Sequence, residues 1–247
     1  MTHAQPAALT GPAAPLLPFP PGTARAVFLR REKRFRALVL IDGREAWAHT
    51  NNSGAMLGLL RPGRAALVSP APGPGRRLAW TLEALECGGS WVCVNTLAPN
   101  RVLRAAWQAG LLPETAGTTG FRAEAKVGDS RLDALLSGPG GDIWVEAKNV
   151  TLDICGTACF PDAVTQRGQK HLRELMALAA RGLRTAVFYL VPMAGAERFA
   201  PADFIDPAYA ALFREALAKG VEAWPWRALV DECGLRLDRR LPLAEQA

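Results

Sequence analysis

Asp133 and the run Val145-Glu146-Ala147-Lys148 are the residues of this chain whose types and spacing could do chemistry. Glu146 and Lys148 sit two apart, and on a β-strand residues two apart project from the same face. A turn at Ser137–Gly141 would fold the strand carrying Asp133 against the strand carrying Glu146 and bring the two carboxylates together. Carboxylates so placed repel each other, which is tolerable when a divalent cation lies between them. A lysine on the same face can position or activate a water, or stabilise charge at a phosphorus centre. Cation, water and lysine side by side are what phosphodiester hydrolysis needs. An E-x-K triplet alone is a weak signal, because such pairs are ordinary surface salt bridges. The neighbours Ile143, Trp144 and Val145 strengthen it, since an ionised pair in a buried strand needs a reason to be there.

Two flanking segments could contribute. Glu124, in Phe121–Lys126, could add a third carboxylate from the preceding strand, or face solvent with Lys126. Thr165–His171 opens a helix with unusually polar residues, among them Arg167, Gln169 and Lys170, and a helix N-terminus favours anions. Gly168 within that helix costs ~1 kcal/mol relative to alanine, which a close approach of backbone or ligand would justify. His171 falls on the apolar stripe and reads as a satisfied core histidine rather than a ligand.

The elements that must position these residues follow a simple order. Residues 1–18 are rich in alanine and proline and read as a disordered arm. Residues 19–99 hold short β-like runs: Ala26–Arg31, Arg34–Leu40, Glu45–His49, Ala65–Ser69, Leu78–Glu86 and Ser90–Asn95. Asp42-Gly43 between the second and third is a hairpin signal. This strand count fits a small OB-like barrel without excluding other small barrels. Residues 100–247 read as a mixed α/β domain. A helix over Arg101–Ala109 has Asn100 as its candidate N-cap, and strands follow at Phe121–Val127, Arg131–Leu136 and Ile143–Val150. Asp162–Arg181 forms the strongest helix, with Asp162 as N-cap, and Thr185–Val191 a buried, parallel strand. A helix at Pro207–Lys219 and a last strand at Val221–Trp226 complete the order.

Charge is divided unevenly between these regions. Residues 1–100 carry 11 Lys and Arg against 5 Asp and Glu, whereas residues 101–247 carry 18 of each. Arg25, Arg30, Arg31, Lys33, Arg34 and Arg36 are therefore candidate phosphate contacts on the barrel, a role to which arginine's planar fork is suited. No stretch approaches the ~20 apolar residues of a membrane span, and no secretory signal is evident, so the default expectation is a cytoplasmic protein without a membrane partner. The five cysteines read as free thiols; Cys155 and Cys159 have no second Cys or His pair at zinc-site spacing. The oligomeric state stays open, a homodimer among the options.

Three segments carry a resemblance to a known family: Cys93-Val94-Asn95-Thr96-Leu97 with Asn100-Arg101, then Phe160–Thr165, then Arg167–Leu175. In these the chain resembles the sugar fermentation stimulation protein A (SfsA) family, from about Val27 to Trp224. The resemblance implies an N-terminal OB-like domain, a C-terminal PD-(D/E)xK nuclease-like domain, non-specific DNA binding and a regulatory role in sugar metabolism, especially of maltose. It places acidic metal ligands at Asp133 and Glu146, the motif lysine at Lys148, an accessory acid at Glu124 and the polar helix position at Gln169. The literal Pro161-Asp162 lies outside that pattern; Leu132 precedes the motif aspartate. The family's Pro-Asn-Thr-Gly-like turn reads Thr50-Asn51-Asn52-Ser53-Gly54 here.

Three functions follow as expectations. One is a DNA-binding protein with a Mg²⁺ or Mn²⁺ site of nuclease type, its affinity falling steeply with salt. Another is an active metal-dependent endonuclease. In the last, the barrel binds a small metabolite, a reading supported by the polar loop Asn51–Ser53, and the second domain is scaffolding.

Overall fold

The structure is a computed structural model and describes residues 14–71, 73, 77–127 and 130–244. Residues 1–13 of the expected arm lie outside the described residues. The end of that arm is structured: Leu17–Pro18 form a short strand, β1. Leu16, Leu17 and Phe19 pack against a hydrophobic core, and this burial overrides the proline-rich composition.

Six strands build the first domain: β2 (Ala24–Glu32), β3 (Arg36–Ile41), β4 (Arg44–His49), β5 (Ala65–Pro70), β6 (Trp80–Cys87) and β7 (Ser90–Cys93). All six runs expected from the sequence are present. They hydrogen-bond in the order β4-β3-β2-β5-β6-β7, and a parallel pairing of Ala48 with Trp80 joins β4 to β6 and closes five of them into a barrel. Asp42 and Gly43 both have positive φ, +49° and +76°, and join Ile41 directly to Arg44, the backbone a two-residue hairpin requires.

The second domain comprises α1 (Ala98–Gln108), β8 (Gly120–Val127), β9 (Ser130–Ser137), β10 (Ile143–Asn149), β11 (Leu152–Ile154), β12 (Thr157–Phe160), α2 (Gln166–Ala179), β13 (Arg184–Val191), β14 (Arg198–Pro201), α3 (Pro207–Ala218), β15 (Glu222–Asp231) and β16 (Gly234–Arg240). Its main sheet runs β1-β16-β15-β13-β10-β9-β8, with β13 parallel to β10 and β15. Both faces are covered. Ala186, Phe188 and Leu190 of β13 share a core with Val102, Leu103 and Ala106 of α1. Val187, Tyr189 and Val191 share the other with Leu172 and Leu175 of α2 and Phe213 of α3. A strand buried on both sides has no reason to alternate polar and apolar residues, which explains the unbroken apolar run of β13. On β10, Ile143, Val145 and Ala147 belong to the α1 side. Glu146 and Lys148 therefore point towards α2.

Several boundaries differ from the sequence expectation. Asn100 does not cap α1: that helix begins at Ala98 after Leu97, with Pro99 in its first turn, where a missing N–H costs nothing. Nor does Asp162 cap α2, which starts at Gln166 with the Thr165 hydroxyl accepting the Gly168 N–H at 3.1 Å. The last strand continues to Asp231 and turns back as β16, and β11, β12 and β14 form a small separate sheet. Strands of three or four residues are too short to show a period of two.

Candidate functional site

The site begins where two strands part. The ladder between β9 and β10 pairs Leu136 with Ile143 and Ala134 with Val145, and goes no further. At the next step the Asp133 side chain replaces backbone. Its Oδ2 accepts the Ala147 N–H at 2.8 Å, and its Oδ1 accepts a hydrogen from Asn100 Nδ2 at 2.7 Å. Across the gap Glu146 is 3 % exposed. Its Oε1 accepts from Lys148 Nζ at 2.5 Å and also meets His171 Nδ1. An ionised carboxylate can only accept, so that ring nitrogen carries the hydrogen. Glu146 Oε2 is buried without a hydrogen-bond partner, and so is Asn149 Oδ1, which lines the same cleft.

The two acids are driven in opposite directions. Burial and the neighbouring Glu146 charge raise the Asp133 pKa by more than the Ala147 N–H, Lys148 and Asn100 lower it. Burial works against Glu146 as well, but Lys148 and His171 outweigh it and hold that carboxyl at about 2. Glu146 is thus held ionised at neutral pH. Among the described residues, no group of three His, Cys, Asp or Glu side chains is gathered closely enough to hold an ion unaided.

These carboxylates floor a cleft of about 480 Å³ between the two domains. The barrel loop Asn51–Gly54 and Arg34 form one wall, and Phe160–Thr165 with Arg167 the other. The loop is braced from behind. Asn51 Nδ2 donates to Asn95 Oδ1 at 2.7 Å, and Asn51 Oδ1 accepts the Thr96 N–H at 2.9 Å. Asn52 Nδ2 donates to the Val94 carbonyl at 3.3 Å, and its Oδ1 accepts the Gly54 N–H at 2.8 Å. The Asn51 amide thus fastens the loop to the segment that leads into α1, and the Asn52 amide fastens it to the end of β7 and to itself. Asp162 ties the walls together: its Oδ2 accepts the Met56 N–H at 2.8 Å and the Thr151 hydroxyl at 3.0 Å. Gly54 is needed at this contact, because a Cβ there would lie 2.2 Å from Asp162 Oδ1.

The remaining candidates divide into those the fold brings to the cleft and those it does not. Arg34 and Arg167 line it. Glu124 also lines it, from a backbone position at φ +48°, but is exposed, with its carboxylate 3.7 Å from Arg131. Gln169 does not reach it: its Nε2 donates to Asp206 at 3.0 Å, because that position on α2 faces the start of α3. Lys170 is on the outside of the helix, 3.6 Å from Glu174. Arg25 pairs with Glu232 of the second domain. Arg31 donates to the Asn52 and Gly54 carbonyls at 2.6 and 2.7 Å and serves as a strut for the loop. Arg30 and Arg36 lie over the Trp47 ring at 5.7 and 4.2 Å, and Lys33 is exposed at the β2–β3 turn. The close approach expected at Gly168 is internal: a Cβ there would meet Thr165 Cγ2 at 2.8 Å and the Tyr209 ring at 3.2 Å.

Three residues of the site, Asn100, Asn149 and Asp162, and the contact of His171 with Glu146 are not predicted by the sequence reading. Only His171 gives a usable signal, since a polar ring on an otherwise apolar helix stripe requires a polar partner.

A closed OB barrel joined to a restriction-endonuclease-like α/β domain, with an acidic pair and a lysine where two strands separate, defines the class of protein. Residues 29–94 match the SfsA N-terminal OB domain, and residues 97–234 match the sugar fermentation stimulation protein RE domain. The chain belongs to the sugar fermentation stimulation protein family. It is 56 % identical over 226 residues to the sugar fermentation stimulation protein homolog of Syntrophobacter fumaroxidans, covering 92 % of this chain and 87 % of that one. The homolog of Maridesulfovibrio salexigens is 51 % identical, with 93 % and 98 % covered. The structure of Pyrococcus furiosus SfsA in complex with Ca²⁺ superimposes with a TM-score of 0.88 at 30 % identity, covering 94 % of this chain and all of that one. No helix among the described residues is long and apolar enough to cross a membrane.

Proposed function

We propose that this protein binds DNA largely without regard to sequence and holds a divalent cation, Mg²⁺ or Mn²⁺, at Asp133 and Glu146. The observation that carries the reading is the buried, unpartnered Glu146 Oε2, on the strand that parts from β9 at Asp133. A buried carboxylate oxygen without a hydrogen-bond partner is costly and a cation would satisfy it, and two carboxylates with substrate oxygens and waters are the donor set Mg²⁺ ordinarily takes. The raised Asp133 pKa fits the same reading, because a cation between the acids would relieve their repulsion. The Ca²⁺ named with the Pyrococcus relative adds support. A regulatory role in sugar use, of maltose above all, belongs to the proposal on the strength of the family.

When bound, the cation would supply Lewis-acid stabilisation of charge on a phosphoryl oxygen. The chain's own residues do the rest. Asn100 and the Ala147 N–H hold Asp133 in one orientation, while His171 and Lys148 hold Glu146 charged. Lys148, 15 % exposed at the cleft floor, is placed to orient a water. Arg34 and Arg167 offer cations to phosphates from opposite walls, and the N-terminal turn of α2 contributes Thr165 and Gly168 to the lining.

The gathering of Asp133, Glu146 and Lys148 also favours an active endonuclease. One experiment separates the readings: supercoiled plasmid with Mg²⁺ or Mn²⁺, wild type beside Asp133→Ala, following both mobility shift and nicking. Nicking by the wild type alone establishes a nuclease with its cation at Asp133. A shift by both without nicking establishes DNA binding on a nuclease scaffold. Absence of any shift, even at low salt, refutes the proposal.

A further inference from the structure

We infer that the cleft takes an unpaired DNA strand in preference to an intact duplex, an inference that rests on the DNA binding proposed above and specifies its substrate. The carboxylates are recessed. Glu146 is 3 % exposed, and the two walls above it are joined through the 2.8 Å bond from the Met56 N–H to Asp162. A ligand must enter over the rim and reach down, which a single flexible strand does more readily than a base-paired rod.

The rim is built for more than phosphate. Leu97 and Val164 both line the cleft and are 47 % and 68 % exposed, leaving two aliphatic side chains of the lining in water. Single exposed apolar residues are ordinary. Here Leu97 and Val164 share the cleft lining with Arg34 and Arg167. A duplex hides the faces of its bases and presents phosphates and groove edges. An unpaired strand presents base faces that pack on aromatic and apolar side chains, with phosphates spaced between them for arginines. A lining that carries exposed apolar side chains as well as arginines matches the second surface.

The test is fluorescence anisotropy with the full chain in Ca²⁺ at one fixed salt concentration. Its probes are a mixed-sequence 20-mer single strand, the blunt duplex of that sequence, and the duplex with a single-stranded tail. The single strand and the tailed duplex should bind at least about tenfold more tightly than the blunt duplex. The double substitution Leu97→Ser with Val164→Ser should weaken single-strand binding about five- to tenfold with Tm unchanged, since both side chains are exposed. Equal or tighter binding of the blunt duplex, or an unchanged single-strand affinity in the variant, overturns the inference and leaves DNA binding standing. No binding of any probe overturns the DNA-binding reading itself.

Discussion

Replacing Gly54 by alanine should loosen the joint between the two domains, and its cost can be worked out from one contact. Gly54 does not have a positive φ, so the obstacle is space alone. The new Cβ would lie 2.2 Å from Asp162 Oδ1 and 2.7 Å from Oδ2. Relief is possible because a carboxylate is the far end of a side chain, but Asp162 is held by the Met56 N–H at 2.8 Å and the Thr151 hydroxyl at 3.0 Å. Moving it breaks both. Hydrogen bonds to a charged group contribute ~1.5–3 kcal/mol each when buried, and this one is half-buried, so the loss should be about 2–3 kcal/mol in all. Asp162→Ala removes the same two bonds and should cost a similar amount. In the double variant the obstruction has gone, so Gly54→Ala should add almost nothing to Asp162→Ala. The cycle should therefore show a coupling of about 2 kcal/mol, well above the ~0.3–0.5 kcal/mol scatter of independent sites. Urea denaturation of the four proteins measures it. If Gly54→Ala is as destabilising without Asp162 as with it, the contact is not what requires glycine, and the account of the joined walls fails.

Three further outcomes follow from the geometry. Asn100→Ala removes one of the two bonds that orient Asp133, and calorimetric titration with Mn²⁺ should show affinity lowered roughly 10–100-fold; unchanged affinity would mean that Asn100 does not position the ligand. Asp206 accepts from the Thr165 and Tyr209 N–H groups, both at 2.9 Å, and its pKa is lowered by these bonds although burial opposes them. Its stabilisation should thus be fully present above the ordinary aspartate value of ~3.9 and disappear as pH falls through its lower folded value. The stability gap between wild type and Asp206→Asn should be constant near neutrality and close in acid, and a gap that widened in acid would reverse the sign. Arg167→Ala should reduce the salt-dependence slope of DNA binding by about one, whereas Lys170→Ala, on the outer face of α2, should leave the slope unaltered.

The sequence by itself determined the local elements and the chemical types available to them. A period of two and a two-residue Asp-Gly turn are properties of neighbours along the chain, so the six barrel strands and the β3–β4 hairpin were legible. So was the sharing of one face by Glu146 and Lys148. The same reading failed where a polar residue had two possible uses. Asp162 and Asn100 both have the chemistry of helix caps, and the fold instead sends one across to Met56 and the other to Asp133. Gln169 sits one position from the cleft-lining Gly168, yet the 100° step of the helix turns it to Asp206. Which way α2 is rotated, and where β9 leaves β10, depend on packing between residues dozens of positions apart. Tertiary structure alone therefore decided that His171 meets Glu146, that Glu146 Oε2 is left without a partner, and that the barrel forms one wall of the cleft.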